Sequence, residues 1–302
     1  MKLENAVIIT NKTRLESLIE RFNTKAQAKF YIEHSGGDFS DYEDEHQIFK
    51  ESLSIVVEKL SAHFKCKVID RSFLPNYIFS EKDLPVVLGQ DGLVANTAKY
   101  VKGLPIFAIN PDNSRYDGIL LPYNMKSFSE EIPRIIASRI NCNDITMAQA
   151  TLNDGQTLLA FNDFFIGPSS HISARYNIRF GSNNENQSSS GIIVSTGAGS
   201  TGWLSSICKQ VSGMSKKRTE IDMTWDQNQL FFVVREPFES KYSSANIVSG
   251  FVDEAHPLTI ESFMPQKGVI FSDGIEKDFL NFNSGAIVKI GIADTKAHII
   301  AT

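Results

Sequence analysis

From Ala6 to Ile109 the chain alternates short apolar runs with helical patterns, and this alternation limits its fold more than any single motif does. Ala6–Thr10, Cys66–Asp70, Pro85–Leu88 and Ile106–Ile109 each read as a short buried strand. Leu15, Leu18, Ile19 and Phe22 fall on one face of a helix. A second helical pattern runs over 48–64 through Phe49, Leu53, Val56, Val57 and Leu60, and a third over 94–101. Residues 33–45, rich in Gly, Ser, Asp and Glu, read as a loop. Strands alternating with helices imply βαβ units and a parallel sheet. Ligands of such sheets sit beyond the carboxyl ends of the strands. Gly89-Gln-Asp-Gly92 and Asn110-Pro-Asp112 both fall there.

Near Pro122 the character changes. One more helix is expected over 128–140. After it come short β-rich runs: 158–165, 176–180, 191–195, 230–234, 258–263, 269–271 and 286–292. Turn clusters separate them, including the polar stretch 181–190, which reads as a hairpin or loop tip. The expectation is an α/β protein of two domains. Residues 1–122 form the α/β part with a parallel sheet, and 123–302 an antiparallel, β-rich part whose last strand can return to the first.

At 302 residues the chain is long enough for two cores. A net charge of −5 argues against a non-specific nucleic-acid binder. Cys66, Cys142 and Cys208 show no paired spacing, which fits a reducing compartment. The opening residues are not expected to act as a signal peptide, and no apolar run is long enough to span a bilayer. A cytoplasmic protein is expected.

Gly191-Ile-Ile-Val-Ser-Thr-Gly-Ala-Gly-Ser-Thr-Gly-Trp203 is the densest candidate site. A short strand delivers glycines and hydroxyls into a turn that opens a helix. Glycine allows close backbone approach to a ligand, and free N–H groups at a helix start attract anions. Gly197-Ala-Gly-Ser-Thr-Gly202 matches the G-x-G-x-x-G dinucleotide fingerprint, with Glu220 or Asp222 near the distance of a ribose-binding acid. The alternative is a Gly-rich turn closing a hairpin. Asp91, between a strand and a helix, is either a general base facing a cleft or a helix cap. Asn162-Asp163 could hold a ribose, but in a regular strand the two side chains point apart, so the backbone must bend there. The alternative is an ordinary turn pair. The six histidines have no metal-binding spacing, and no P-loop occurs. No protein metal site is expected.

In order, these segments resemble the NAD kinase superfamily, whose members carry G-G-D-G-T, then Asn-Glu, then a T-P-T-G-S-T-A-Y-like stretch. The runs here are Gly89-Gln-Asp-Gly-Leu93, Asn162-Asp163 and Thr196-Gly-Ala-Gly-Ser-Thr-Gly-Trp203. Lys12-Thr-Arg14, Asn110-Pro-Asp-Asn-Ser-Arg115 with Gly118, Ala160 to Gly167, Ser173 to Tyr176, Ser189-Ser-Gly191 and Arg235-Glu-Pro237 look like the mitochondrial-type enzymes and their bacterial relatives. The resemblance covers nearly the whole chain. It implies a two-domain fold with the site in a cleft, and ATP-dependent phosphorylation of the adenosine ribose 2′-hydroxyl of NAD. By matching position Asp91 is the catalytic base. Gly89, Gly92, Asn110 and Arg115 belong to the nucleotide site. Asn162 and Asp163 hold the ribose, and Thr201 and Gly202 touch adenine. Thr196, Gly199 and Ser200 shape that wall, and Ser190 lies at the nicotinamide end. ATP with Mg²⁺, NAD and a homodimer or larger assembly follow from the same resemblance, with no nucleic-acid or membrane partner.

The chain departs from the family's runs at Gln90 (Gly), Leu93 (Thr), Asp163 (Glu) and Gly197-Ala198 (Pro-Thr). Three other readings stay open. One is an NAD(P)-binding pseudokinase. Another is a kinase of this fold acting on another nucleoside, a lipid or a sugar. The third is a Rossmann oxidoreductase.

Overall fold

The computed structural model of the chain describes residues 3–301. They form two compact units. One runs to Asn143 and takes up the chain again from His298, and the other is Asp144–Ala297.

The first unit opens with strand β1 (Asn5–Thr10), followed by helices α1 (Arg14–Phe22), α2 (Lys25–His34) and α3 (Ser40–Ser61). Then come β2 (Lys65–Asp70), a 3-10 turn over Arg71–Asn76, β3 (Asp83–Leu88), α4 (Asp91–Ala98), β4 (Pro105–Asn110), β5 (Tyr123–Asn124), α5 (Phe128–Ile136) and β6 (Cys142–Ile145). The sheet order is β2-β1-β3-β4, then the last strand Ala297–Ile300, then β6, with β5 also on β4. The pairs β1–β2, β1–β3 and β3–β4 are parallel, as the βαβ pattern requires. Every residue of β3 is buried, whereas edge strand β2 turns Lys65 and Lys67 to solvent.

The α/β expectation holds, with local differences. The stretch 33–45 is not one loop, because α3 already begins at Ser40. Phe39 is buried beside Leu15, Ala28 and Ile32, and Glu45 is buried against Arg14. Asp41 and Glu43 thus lie in the first turn of a helix, where acids suit its positive end. The first unit also extends past Pro122. Tyr123–Asn124 pairs with β4, and Phe128, Ile132 and Ile135 enter this unit's core.

The second unit continues with β7 (Ala148–Leu152), β8 (Thr157–Ala160), β9 (Asp163–Pro168), β10 (Ala174–Phe180), β11 (Asn183–Ser189) and β12 (Ile192–Ser195). After a 3-10 turn (Ala198–Thr201) come α6 (Trp203–Ser215), β13 (Leu230–Val234), β14 (Ser249–Val252), β15 (Leu258–Ser262), β16 (Gly268–Ser272), β17 (Ile275–Asn281), β18 (Ile287–Ile292) and β19 (Ala297–Ile300). Strands β7 to β18 form two six-stranded sheets, β11-β10-β15-β18-β7-β8 and β14-β13-β12-β9-β16-β17. They share one core that includes Phe164, Tyr176, Phe232 and Ile260. The antiparallel expectation holds here.

Two readings change. The polar stretch 181–190 is largely strand β11, paired residue for residue with β10. An edge strand can be polar because one face meets water, and Gln187 and Ser189 turn inward to hydrogen-bond the buried Tyr176 hydroxyl at 2.9 and 2.8 Å. The run 158–165 is two strands, broken at Phe161-Asn162. Among the described residues no helix is long and apolar enough to cross a membrane.

Candidate functional site

Register in the first unit's sheet sets one row of loops at the carboxyl ends of its strands. Thr10 pairs with Asp70, Ile9 with Val87, and Leu88 with Ile109. Arg71, Asn11, Gly89 and Asn110 therefore all emerge on the same edge. Gln90 caps α4 without a side-chain capping bond, at φ −108° and ψ 165°. That is ordinary extended backbone, so a glycine is not needed there for conformational reasons. Asp91 is the first residue of α4 and not its cap. Its half-buried carboxylate accepts a 2.7 Å hydrogen bond from the Leu120 N–H.

The loop carrying Leu120 is itself braced. The Asn110 side chain, nearly fully buried, accepts from Asp112 N–H at 2.9 Å and donates to the Tyr116 carbonyl at 3.1 Å. Gly118 has φ +69°, and a Cβ there would lie 2.6 Å from the Asn110 amide. Glycine is therefore required twice over. Arg115 bonds Asp41 at 2.8 Å, and Asp41 also pairs with Arg14 at 2.7 Å. The two guanidinium groups hold the Asp41 carboxyl down to about 2. Asn110 and Arg115 thus engage their own unit and shape the loop that Asp91 grips.

In the second unit the break between β8 and β9 is the centre. Asp273 accepts hydrogen bonds from three successive N–H groups, those of Phe161 (3.1 Å), Asn162 (2.6 Å) and Asp163 (3.3 Å). Its own N–H returns to the Asp163 carbonyl at 3.0 Å. The Thr196 N–H donates to the Asn162 carbonyl at 2.9 Å, and its hydroxyl to the Phe161 carbonyl at 2.6 Å. These bonds hold the break at Phe161-Asn162, after which β9 begins at Asp163. Gly199 packs onto the same carbonyl, where a Cβ would lie 2.0 Å from the Asn162 oxygen. Ser200 donates to the Gly197 carbonyl at 2.7 Å. Exposed Thr201 rims an open pocket of about 710 Å³ that it shares with Ser205, Lys209 and Arg218. Gly202 is exposed at the start of α6. Half-exposed Ser190 donates its N–H to the Arg235 carbonyl at 2.9 Å.

Burial, and then the neighbouring Asp273 carboxylate, push the Asp163 carboxyl up to about 7. A carboxyl raised on folding binds more protons in the folded than in the unfolded chain between about pH 4 and 7. Stability from this group therefore falls as pH rises through that window and is flat above it. Asp163→Asn should remove the slope. Chemical denaturation at pH 5 and pH 8 should show wild type losing about 2–3 kcal/mol more than the variant, and equal losses would contradict the shift.

The second unit thus gathers Asn162, Asp163, Thr196, Gly199 and Ser200, and the first gathers Gly89, Asp91, Gly92 and Asn110. The dinucleotide-fingerprint reading of 197–202 does not survive. β12 lies between β9 and β13, antiparallel to both, so no βαβ unit exists there. Nor is it a hairpin turn, since a 3-10 turn and α6 follow. Gly197 and Gly199 are small because backbone carbonyls of Thr224 and Asn162 lie against them.

Sequence reasoning missed Asp273. Asp273 (φ +54°) and Gly274 (φ +69°) form the two-residue turn between β16 and β17. Asp-Gly after an apolar run is a hairpin signal. It predicts the turn, though not the reach of the carboxylate to Phe161–Asp163.

This architecture, a parallel α/β unit followed by a double-sheet antiparallel unit, is the two-domain NAD kinase fold. The chain matches yeast NADH kinase, solved with NADH, at TM-score 0.62 over 100% of this chain and 84% of that one, with 15% identity. It matches an NAD kinase from Archaeoglobus fulgidus, solved with ATP, at TM-score 0.59 over 98% and 93%, with 16% identity. No protein-family model and no curated protein sequence matches the chain.

Proposed function

We propose that this protein is an NAD kinase, transferring the γ-phosphoryl group of ATP to the 2′-hydroxyl of the adenosine ribose of NAD. The observation that carries the reading is a half-buried aspartate, Asp91, held by the Leu120 N–H at a strand-to-helix junction of this fold. Such a carboxylate can orient the acceptor hydroxyl and take its proton. Asn162 and Asp163, set on the bend that Asp273 makes, would bind the ribose hydroxyls. Thr201 and Gly202 would meet adenine, and Ser190 the nicotinamide end. Among the described residues no three His, Cys, Asp or Glu side chains gather as a metal cage. In this reading Mg²⁺ would arrive on the ATP phosphates, an ion that commonly takes only one or two protein carboxylates beside phosphate oxygens. In this reading the protein works in the cytoplasm as a homodimer or larger assembly.

NADP formation from NAD, ATP and Mg²⁺, followed with a coupled NADP-specific dehydrogenase, tests the proposal. Binding of NAD without turnover would favour a pseudokinase, a reading that Leu93 supports by placing a buried alkyl group where the family carries a hydroxyl. ATP consumption only with a different acceptor would move the assignment to another kinase of this fold.

Gly92→Ala separates structure from chemistry. A Cβ there meets no atom within 4 Å, and the position is helical. Stability should hold or rise by up to about 1 kcal/mol, while KM for ATP increases because the backbone no longer lies bare to phosphate. An unchanged KM would remove Gly92 from the site.

A further inference from the structure

We infer that Arg71, with Lys12, forms the polyphosphate anchor of the first unit. The inference rests on the kinase reading for its physiological ligand, but its geometry stands apart from that reading. A pocket of about 100 Å³ opens at the carboxyl ends of β1, β2, β3 and β4. That is well below the ~300 Å³ of a pocket enclosing a drug-sized molecule, and it suits a phosphate group better than a base or a sugar. Lys12 follows β1, Arg71 follows β2, Gly89 and Gln90 follow β3, and all four line it. The parallel order β2-β1-β3-β4 brings these side chains together from positions far apart in sequence.

Charge in the pocket favours an anion. Its acidic member, Glu45, is buried and already paired with Arg14, which bonds it through Nε. Asp70, beside Arg71, is occupied by the N–H and hydroxyl of Ser72 at 2.9 and 2.6 Å. Lys12 pairs with Glu20 at 2.7 Å on the exposed rim. Pairs of that kind contribute little and exchange readily. The Arg71 side chain has no hydrogen-bond or ion-pair partner among the described residues. Its planar fork can take two phosphate oxygens at once. Asp91 does not line this pocket but turns to Leu120, so the anion site and the proposed base are separate groups of one unit.

Inorganic tripolyphosphate, titrated calorimetrically into the full chain at low ionic strength, is the probe. Wild type should bind it. Arg71→Ala should weaken binding at least tenfold, Arg71→Lys should restore part of the loss, and Lys12→Ala should have a smaller effect. NAD affinity should stay unchanged in all three variants. In the kinase assay, Arg71→Ala should raise KM for ATP and leave KM for NAD alone. Absence of tripolyphosphate binding by wild type, or equal binding by wild type and Arg71→Ala, would overturn the anchor. If tripolyphosphate binds through Arg71 but no NADP forms, the anchor stands and the kinase reading falls. If NADP forms and Arg71→Ala leaves KM for ATP unmoved, the reverse holds.

Discussion

Asp91→Asn is expected to lower NADP formation by about two to four orders of magnitude, the range over which a positioned proton acceptor contributes. The substitution is a clean one in this structure. The Asn amide oxygen can still accept the Leu120 N–H that Asp91 now holds at 2.7 Å, so the loop should stay in place. Melting temperature and NAD affinity should therefore match wild type while kcat collapses. Asp91→Ala is a poorer probe, because it also releases the Leu120 N–H and confuses loop position with chemistry. Turnover in Asp91→Asn within a few-fold of wild type would remove Asp91 from the reaction.

The largest effect on stability should come from Gly199→Ala. A methyl group there would lie 2.0 Å from the Asn162 carbonyl oxygen and 2.6 Å from its carbon. Neither side can easily give way. Asn162 is tied to Asp273 through its N–H and to Thr196 through that carbonyl, and Gly199 donates its own N–H to the Thr196 hydroxyl at 3.1 Å. Overpacking in a core costs about 1–3 kcal/mol where side chains can shift. Here the obstacle is backbone, so a loss above about 3 kcal/mol or failure to fold is expected. Gly213→Ala is the matched control. It lies within α6 with nothing within 4 Å of the added Cβ, and should gain about 0.5–1 kcal/mol. Denaturant midpoints of the two variants decide the matter, and equal midpoints would mean that Gly199 is replaceable.

The glycines of 197–202 show where reading the chain and folding it part company. As letters they can be read as a dinucleotide fingerprint, a tight turn or a kinase motif. What separates these readings is the partner of each glycine, and those partners, Thr224 and Asn162, lie far away in sequence. Gln90 is a second case. Beside Gly89 and Gly92 it looks like a broken motif, yet its extended backbone accepts any side chain. The third is the polar run Asn183–Ser189, which contains no apolar alternation to mark a strand. It becomes one because β10 offers it an edge and Tyr176 offers it hydrogen bonds.

Local chemistry alone determined the broad plan. Short apolar runs with helices between them can bury their surface only as a parallel α/β layer. The later runs, separated by turn residues, can bury theirs only as antiparallel sheets. Asp91, Asn162 and Asp163 were legible as candidates only through their order along the chain, because a lone Asp or Asn at a strand end also serves as a helix cap or a turn residue. Tertiary structure decided the rest. It brought the Asp273 carboxylate to three consecutive N–H groups more than 100 residues earlier in the chain. It turned Asn110 and Arg115 into braces for the loop that holds Asp91, and it set Arg71 beside Gly89. Each of these depends on which strands are neighbours in a sheet, and sheet order is settled by long-range packing that no local stretch of sequence contains.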